Sequence, residues 1–361
     1  MRRVTGLEEH GGRTHFCLLF TNASHIMPSM TVMQGEKDML IPILLFVVGL
    51  VALIKGGDWF VDGATGIARR FRLPELLIGA TVVSIGTTLP EVMVSTTSAI
   101  GGHGEIAYGN AIGSVICNTA LVAALTIAVR PGKVDRAALR TPVAFFFSAA
   151  VLYAAVAYMS GYFSRIVGAA LLAMFLVYMF VTVQQMKGGR QDASDAEPEE
   201  EAKELPLWKE LALLVVGAAL IAVGARLLVD NGSLIASALG VPESVIALTF
   251  VALGTSLPEL VTAITSLIKG HSALSLGNVI GANLFNLVLV SGMSITLSPF
   301  PIPQGSMIAG KNASLVMDIP VMFAVMLLLT VPALVRGKLA RWQGVTLLLI
   351  YAAFCVVQFT M

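Results

Sequence analysis

The chain has 361 residues, 56% of them hydrophobic and only 12% charged. Soluble domains carry about 25% charged residues, so the composition excludes a soluble globular protein and describes an integral membrane one. A net charge of +1 gives no support to a nucleic-acid partner.

In chain order, residues 1–38 come first, polar and irregular. Their apolar patch, "FCLLF", is shorter than the roughly 7–15 residues of a signal-peptide core. Met27, Met30, Met33 and Met39 leave room for a later start, and no function is assigned to this tail. Apolar runs near the roughly 20 residues needed to cross a bilayer then recur at 39–68, 74–100, 105–129, 142–160, 164–186, 208–238, 242–268, 273–298, 315–335 and 341–360. The fold class expected is an all-α integral membrane protein of ten transmembrane helices. Cys17, Cys117 and Cys355 are widely spaced and form no CxxC pattern, which reads as free thiols and not a disulfide framework.

Basic residues orient the spans. Alternate loops hold Arg69, Arg70 and Arg72; Arg130, Lys133, Arg136 and Arg140; Lys187, Arg190, Lys203 and Lys209; Lys269; and Arg336, Lys338 and Arg341. The opposite loops hold Arg165 and Lys311, with four more in the N-terminal tail. The positive-inside rule assigns the rich set to the cytoplasm. Both termini are then extracytoplasmic, in a multi-pass protein of the cell (inner) membrane, and an even number of spans is required.

Sliding the sequence over itself by 168 residues aligns the two halves without a gap. Pro74-Glu75 falls on Pro242-Glu243, Gly86-Thr87 on Gly254-Thr255, and Leu89-Pro90-Glu91 on Leu257-Pro258-Glu259. Gly102-His103 falls on Gly270-His271, Gly109-Asn110 on Gly277-Asn278, Gly113 on Gly281 and Asn118 on Asn286; about 20 of these 45 pairs are identical. The matches favour Gly, Pro, Thr, Asn and Glu, where chance likeness between apolar helices would favour Leu, Val and Ala. Corresponding points are separated by an odd number of spans, so the repeats are inverted. Inverted repeats with Gly/Pro-interrupted helices at matching places point to a transporter whose site lies at the midplane. The expected organisation is a tail (1–38), a first five-helix repeat (39–186, centred on 74–118), an acidic cytoplasmic linker (187–207) and a second five-helix repeat (208–361, centred on 242–286). The linker's acids lack the alternating oxygen ligands and turn glycine of a calcium loop, and it reads as solvated chain.

Within the repeats stand "GTTLPE" and "GTSLPE". Proline lacks an N–H and its ring clashes with the carbonyl four residues back. Pro90 therefore frees the Gly86 carbonyl and disturbs Thr87, and Pro258 does the same at Gly254 and Thr255. In lipid an unsatisfied carbonyl costs several kcal/mol, so something must re-satisfy it; a cation does. Glu91 and Glu259 follow at once, and an intramembrane carboxylate marks a functional site. Inverted helices crossing at the midplane can bring both acids onto one ion. Ca²⁺ takes about 6–8 oxygens, of which carboxylates and freed carbonyls can supply most. Hydroxyls of Thr87, Thr88, Thr255 and Ser256 suit Na⁺. Ser114 and Asn118 share one helix face, with Asn286 as the counterpart from the other half. No soft ligand accompanies Cys117, so the set selects a hard cation over zinc or copper.

"GTTLPEVMVS" with "GNAIGSVICN", and "GTSLPELVTA" with "GNVIGANLFN", closely resemble the paired alpha-repeats of the sodium/calcium exchangers, within the cation/Ca²⁺ antiporter superfamily; the resemblance covers about residues 40–360. It implies ten helices with the N-terminus outside, no enzymatic activity and no resident cofactor, Ca²⁺ and Na⁺ being substrates. It implies that Glu91 and Glu259 chelate calcium with the carbonyls of Thr87 and Thr255. Sodium would be held by the Ser84 carbonyl, Thr88 and Ser114 on one side, and by the Ala252 carbonyl and Ser256 on the other. Asn118 and Asn286 would complete the centre, and the long first and sixth spans would slide as the gate. Two departures stand out. Ala282 occupies a position where many relatives have serine, removing one sodium-ligating hydroxyl. Asn286 stands where the potassium-dependent branch carries aspartate, which argues against potassium co-transport.

Energetics separates coupling schemes. Expelling Ca²⁺ against a ~10⁴-fold gradient takes about 5.5 kcal/mol, and moving two charges against ~100 mV takes about 4.6 kcal/mol more. One Na⁺ entering down a tenfold gradient and the same voltage returns about 3.7 kcal/mol. Two Na⁺ fall short and three suffice, so exchange is expected to be electrogenic. The runner-up is H⁺/Ca²⁺ antiport, in which the same glutamates release calcium by taking up protons. A passive cation channel would need a continuous polar stripe, which no span shows, and an intramembrane enzyme would need a motif such as HExxH or GxSxG, which is absent. Besides the lipid bilayer no protein partner is evident. His103 and His271 read as turn residues of the duplication, and Asp58, Asp62, Arg226 and Asp230 as interfacial anchors or gate contacts. The Asn312 sequon has meaning only in a secretory pathway.

Overall fold

A computed structural model describes residues 39–192, 205–240, 254–304 and 307–360. It divides into a compact unit, Pro42–Met361, and a preceding Met1–Ile41, of which only the last three residues are described. The described chain is almost wholly helical: α1 (Leu40–Arg70), α2 (Glu75–Ile100), α3 (Gly104–Val129), α4 (Arg136–Met159), α5 (Arg165–Asp192), α6 (Leu207–Ala238), α7 (Leu257–Ile268), α8 (Ser272–Leu297), α9 (Ser314–Arg336) and α10 (Arg341–Thr360). Nine of these are long and apolar enough to cross a membrane, and α7 is the described part of the remaining span. Residues 242–253, expected to open that span, lie outside the described residues, as do Cys17 and most of the linker. Cys117 and Cys355 are free thiols.

Helix limits follow local chemistry. The fourth helix begins before its apolar run because Asp135 caps it, its Oδ1 accepting from the Ala137 and Ala138 amides at 2.8 and 3.3 Å. The turns after α2 and α7 are copies. Gly101 N donates to Thr97 O and His103 N to Ser98 O, at 2.9 and 2.8 Å. Lys269 N and His271 N donate to Thr265 O and Ser266 O, at 3.0 and 2.7 Å. In each turn the residue between has positive φ, +85° at Gly102 and +88° at Gly270, a left-handed helix stop that glycine adopts without a Cβ penalty.

The helices differ sharply in burial. In α8, 83% of the best apolar stretch is buried, against 22% in α1 and in α6, so α8 is central while α1 and α6 lie outside. Two-residue strands tie the loops: β1 (Gly132–Lys133) pairs antiparallel with Lys338–Leu339, and β2 (Tyr162–Phe163) with Phe300–Pro301. The first pair gathers the arginine-rich loops at one end. There Arg130 also donates to Leu267 O, Arg341 to Val129 O, and Arg70 to the Glu210 carboxylate. Among the described residues, basic loops read from sequence as one set thus meet at one end of the molecule.

The outer pair α1 and α6 meet through glycine. A Cβ at Gly49 would lie 2.9 Å from Gly224 O, and one at Gly56 would lie 2.9 Å from Gly217 O. Gly49 corresponds to Gly217 and Gly56 to Gly224 under the 168-residue offset, so the contact maps onto itself when the repeats exchange. Without side chains at these points the antiparallel backbones touch, which is how small residues drive helix association in lipid.

Candidate ion-binding site

Four helices build the centre: α2 and α7 carry the proline-glutamate motifs, and α3 and α8 pack against both. The motifs differ locally. Pro90 lies inside a helix that continues through it, whereas Pro258 sits in the first turn of α7, where an N–H is not needed. The break expected at Pro90 therefore does not end the helix, and by covalent necessity the Gly86 carbonyl loses its helical donor. Larger irregularity falls elsewhere, as π-helical stretches at Gly79–Val83, Asn118–Ala123 and Asn286–Val290. The last two open on Asn118 and Asn286, matched residues, and such bulges occur mostly at functional sites.

Glu91 and Glu259 are both fully buried, and neither faces lipid. Glu259 acts electrostatically on Glu91, and the hydroxyls of Thr87 and Thr88 face the Glu259 carboxyl. All four carboxylate oxygens lack a hydrogen-bond partner, as do the Thr88 hydroxyl and both polar atoms of Asn118 and of Asn286. Such a cluster of buried, unpartnered oxygens is rare, since natively buried polar groups are almost always paired. An isolated buried carboxylate costs several kcal/mol, so this set needs a cation to complement it. Among the described residues no group of three His, Cys, Asp or Glu side chains forms. The donors are two carboxylates with hydroxyl, amide and carbonyl oxygens, a hard set that suits Ca²⁺ or Na⁺.

The remaining candidates fall around these. Ser84 and Ser114 are buried on α2 and α3, and Ser256 is buried as the N-cap of α7. Ser256 and Glu259 lie beside Cys117, which puts them against the α3 segment that carries Asn118. Thr255 is half-buried, its hydroxyl donating to Asn110 Oδ1 at 3.3 Å. Ala282, matched to Ser114, is fully buried. Ala252 lies outside the described residues. A small cavity lined by Phe60, Gly86, Thr87, Pro90, Ala218 and Pro258 connects the prolines to α1 and α6.

Sequence reasoning passed over two residues that the structure brings in. Asn110 and Asn278 bond the threonines of the opposite repeats. Their signal was the match of Gly109-Asn110 with Gly277-Asn278. The charged residues at the helix ends have partners. Lys269 reaches Asp62 at 2.7 Å and Asp58 at 3.5 Å, and His271 Nδ1 meets Glu75 Oε1 at 2.7 Å. Arg226 pairs within its helix with Asp230 at 3.5 Å. Asn312, of the sequon, donates to Pro303 O.

Comparison with known proteins points to one family. The family model for "Sodium/calcium exchanger protein" matches residues 41–184 and 209–360. The sodium/calcium exchanger MaX1 of Methanosarcina acetivorans is 30% identical, over 88% of this chain and 98% of its own. The inner membrane protein YrbG of Escherichia coli is 35% identical, over 80% of this chain and 89% of its own. Among solved structures, the sodium-calcium exchanger NCX_Mj soaked with 2.5 mM Na⁺ and 10 mM Sr²⁺ superposes with a TM-score of 0.73 at 32% identity, covering 87% of this chain and 98% of that one.

Proposed function

Because this chain belongs to the sodium/calcium exchanger protein family, we propose that it is a secondary active antiporter that exchanges Na⁺ for Ca²⁺ by alternating access. The observation that carries the reading is the pair of fully buried, unpartnered carboxylates, Glu91 and Glu259, one from each repeat. In this reading one Ca²⁺ neutralises both charges and is also bound by the Thr87 and Thr255 carbonyls. Sodium ions take the Ser84 and Ala252 carbonyls with Thr88, Ser114 and Ser256, and Asn118 and Asn286 close the centre. Membership of the family argues for transport and against catalysis.

Exchange is electrogenic, since three Na⁺ leave one positive charge in excess of a Ca²⁺, and its direction is calcium extrusion. The gathering of basic loops at one end supports a cytoplasmic assignment for that end, with both termini outside. Hydroxyl groups flanking both glutamates favour sodium as the coupling ion over protons. The test is uptake of radiolabelled calcium into proteoliposomes with sodium, potassium and pH gradients imposed one at a time. Uptake is expected to follow the sodium gradient alone and to speed or slow with an imposed membrane potential. Uptake driven by pH and indifferent to sodium would replace this reading with H⁺/Ca²⁺ antiport, and indifference to voltage would refute the charge balance.

A further inference from the structure

The Thr87 hydroxyl, on the first repeat, faces the Glu259 carboxyl and has two further acceptors within reach. It approaches Asn278 Oδ1, on α8 of the second repeat, at 3.3 Å, and its own helix's Ser84 carbonyl at 3.4 Å. A threonine in a helix ordinarily donates to the carbonyl three or four residues back; Thr81 does so at 2.7 Å, to Leu77 O. At Thr87 that habitual bond is long, and the competing acceptor comes from the other half of the molecule. Asn278 is fully buried, and its backbone carbonyl lies 2.9 Å from Ser84 Oγ, which also reaches Gly79 O on its own helix at 2.7 Å. The matched pair repeats the crossing. Thr255 donates to Asn110 Oδ1 at 3.3 Å, and Asn110 Nδ2 donates to Ser95 Oγ at 2.8 Å and to the Glu91 carbonyl at 3.4 Å.

We propose that Asn278 is a positioning residue for sodium: by drawing the Thr87 hydroxyl away from the Ser84 carbonyl, it leaves that carbonyl free to bind the ion. This rests on the reading above in which the Ser84 carbonyl is a sodium ligand. A carbonyl that accepts a full hydrogen bond has one lone pair fewer for a cation and a weaker local field. Asn278 therefore acts on Na⁺ through Thr87 and Ser84 without touching Na⁺ or Ca²⁺. Since each such bond joins the two repeats, sodium affinity becomes a property of the halves together.

The test uses purified full-length protein in proteoliposomes, with two assays run on each variant. Sodium-free Ca²⁺/Ca²⁺ self-exchange gives the calcium KM, and sodium-driven Ca²⁺ efflux gives the half-saturating sodium concentration. Asn278→Ala is expected to raise the sodium value by about fivefold, the weight of one hydrogen bond, with calcium KM held within about twofold. Adding Thr87→Val to Asn278→Ala removes the competing hydroxyl and is expected to return the sodium value toward wild type. A merely structural role for Asn278 would shift both ions together and leave the double variant no better than the single. Either result overturns the proposal, as does an unchanged sodium value in Asn278→Ala. If the alanine variant does not fold, Asn278→Ser, with a shorter side chain, is expected to raise the sodium value at least about twofold, and no rise refutes the proposal. A wild-type protein that self-exchanges calcium but ignores sodium refutes the functional reading itself, which separates the two failures.

Discussion

Glu91 and Glu259 hold the largest unmet electrostatic demand among the described residues, four buried oxygens with no hydrogen-bond partner. Replacing either with glutamine removes a charge, turns one ligand oxygen into an amide N–H₂ and weakens the other, while keeping the shape. Calcium exchange by Glu91→Gln or Glu259→Gln is expected to fall more than about 100-fold, because stripping one partner from a buried ionic arrangement costs about 3–5 kcal/mol. Stability should move differently. Saturating Ca²⁺ adds about 2.7 kcal/mol to the wild type at 100 times Kd, and that gain disappears in both variants, while their ion-free Tm is no lower than wild type because an uncompensated charge is gone. Thermal melts with and without Ca²⁺ read this out, and a retained calcium-dependent rise in Tm in either variant removes that glutamate from the ligand set. These residues were legible in the sequence because a Pro-Glu pair inside an apolar run is expensive, and a doubled expense needs a cause. Asn110 and Asn278 were visible only as repeat matches, since an asparagine amide carries no charge and its partner lies 145 or 191 residues away.

At the scale of elements, the proline motifs foretold a disturbance but not its form. Pro90 is absorbed into a continuing helix, and the π-helical stretches fall at Gly79–Val83, Asn118–Ala123 and Asn286–Val290. A π bulge is set by how a turn packs on its neighbours and not by residue type, so no periodicity announces it. The α1–α6 contact was likewise hidden, since glycines seven apart show their meaning only when the facing glycines are known. A Cβ at Gly217 would lie 2.5 Å from Phe60 N and 2.8 Å from Gly56 O, both backbone atoms that cannot rotate away. Gly217→Ala is therefore expected to prise the helices apart, destabilising the protein by about 1–3 kcal/mol and reducing transport of the folded fraction. Tm together with flux per folded molecule measures both, and an unchanged Tm would show that the two backbones are not in contact.

For the whole molecule, the 168-residue offset and the distribution of basic residues conveyed two inverted halves, and the copied turns after α2 and α7 repeat that symmetry in hydrogen bonds. Where the halves differ, the two ends of the molecule cannot behave alike. Lys269, in the turn between α7 and α8, ties that turn to Asp58 and Asp62 of α1. Its counterpart is Gly101, and the counterparts of the two aspartates are Arg226 and Asp230, which pair with each other. This tie between an outer helix and the central bundle thus has no equivalent under the repeat symmetry. In an exchanger that alternates between inward and outward access, a contact made at one end only biases the equilibrium by its own free energy. Partly exposed ion pairs are worth about 0–1 kcal/mol, so Lys269→Ala should leave Tm nearly unchanged. Freed at the basic end, α1 should favour opening there. The half-saturating Ca²⁺ measured from that side, relative to the other, is expected to fall by up to about fivefold. Right-side-out and inside-out vesicles give the two values, and an unchanged ratio in a well-folded variant would show that the tie does not distinguish the two access states.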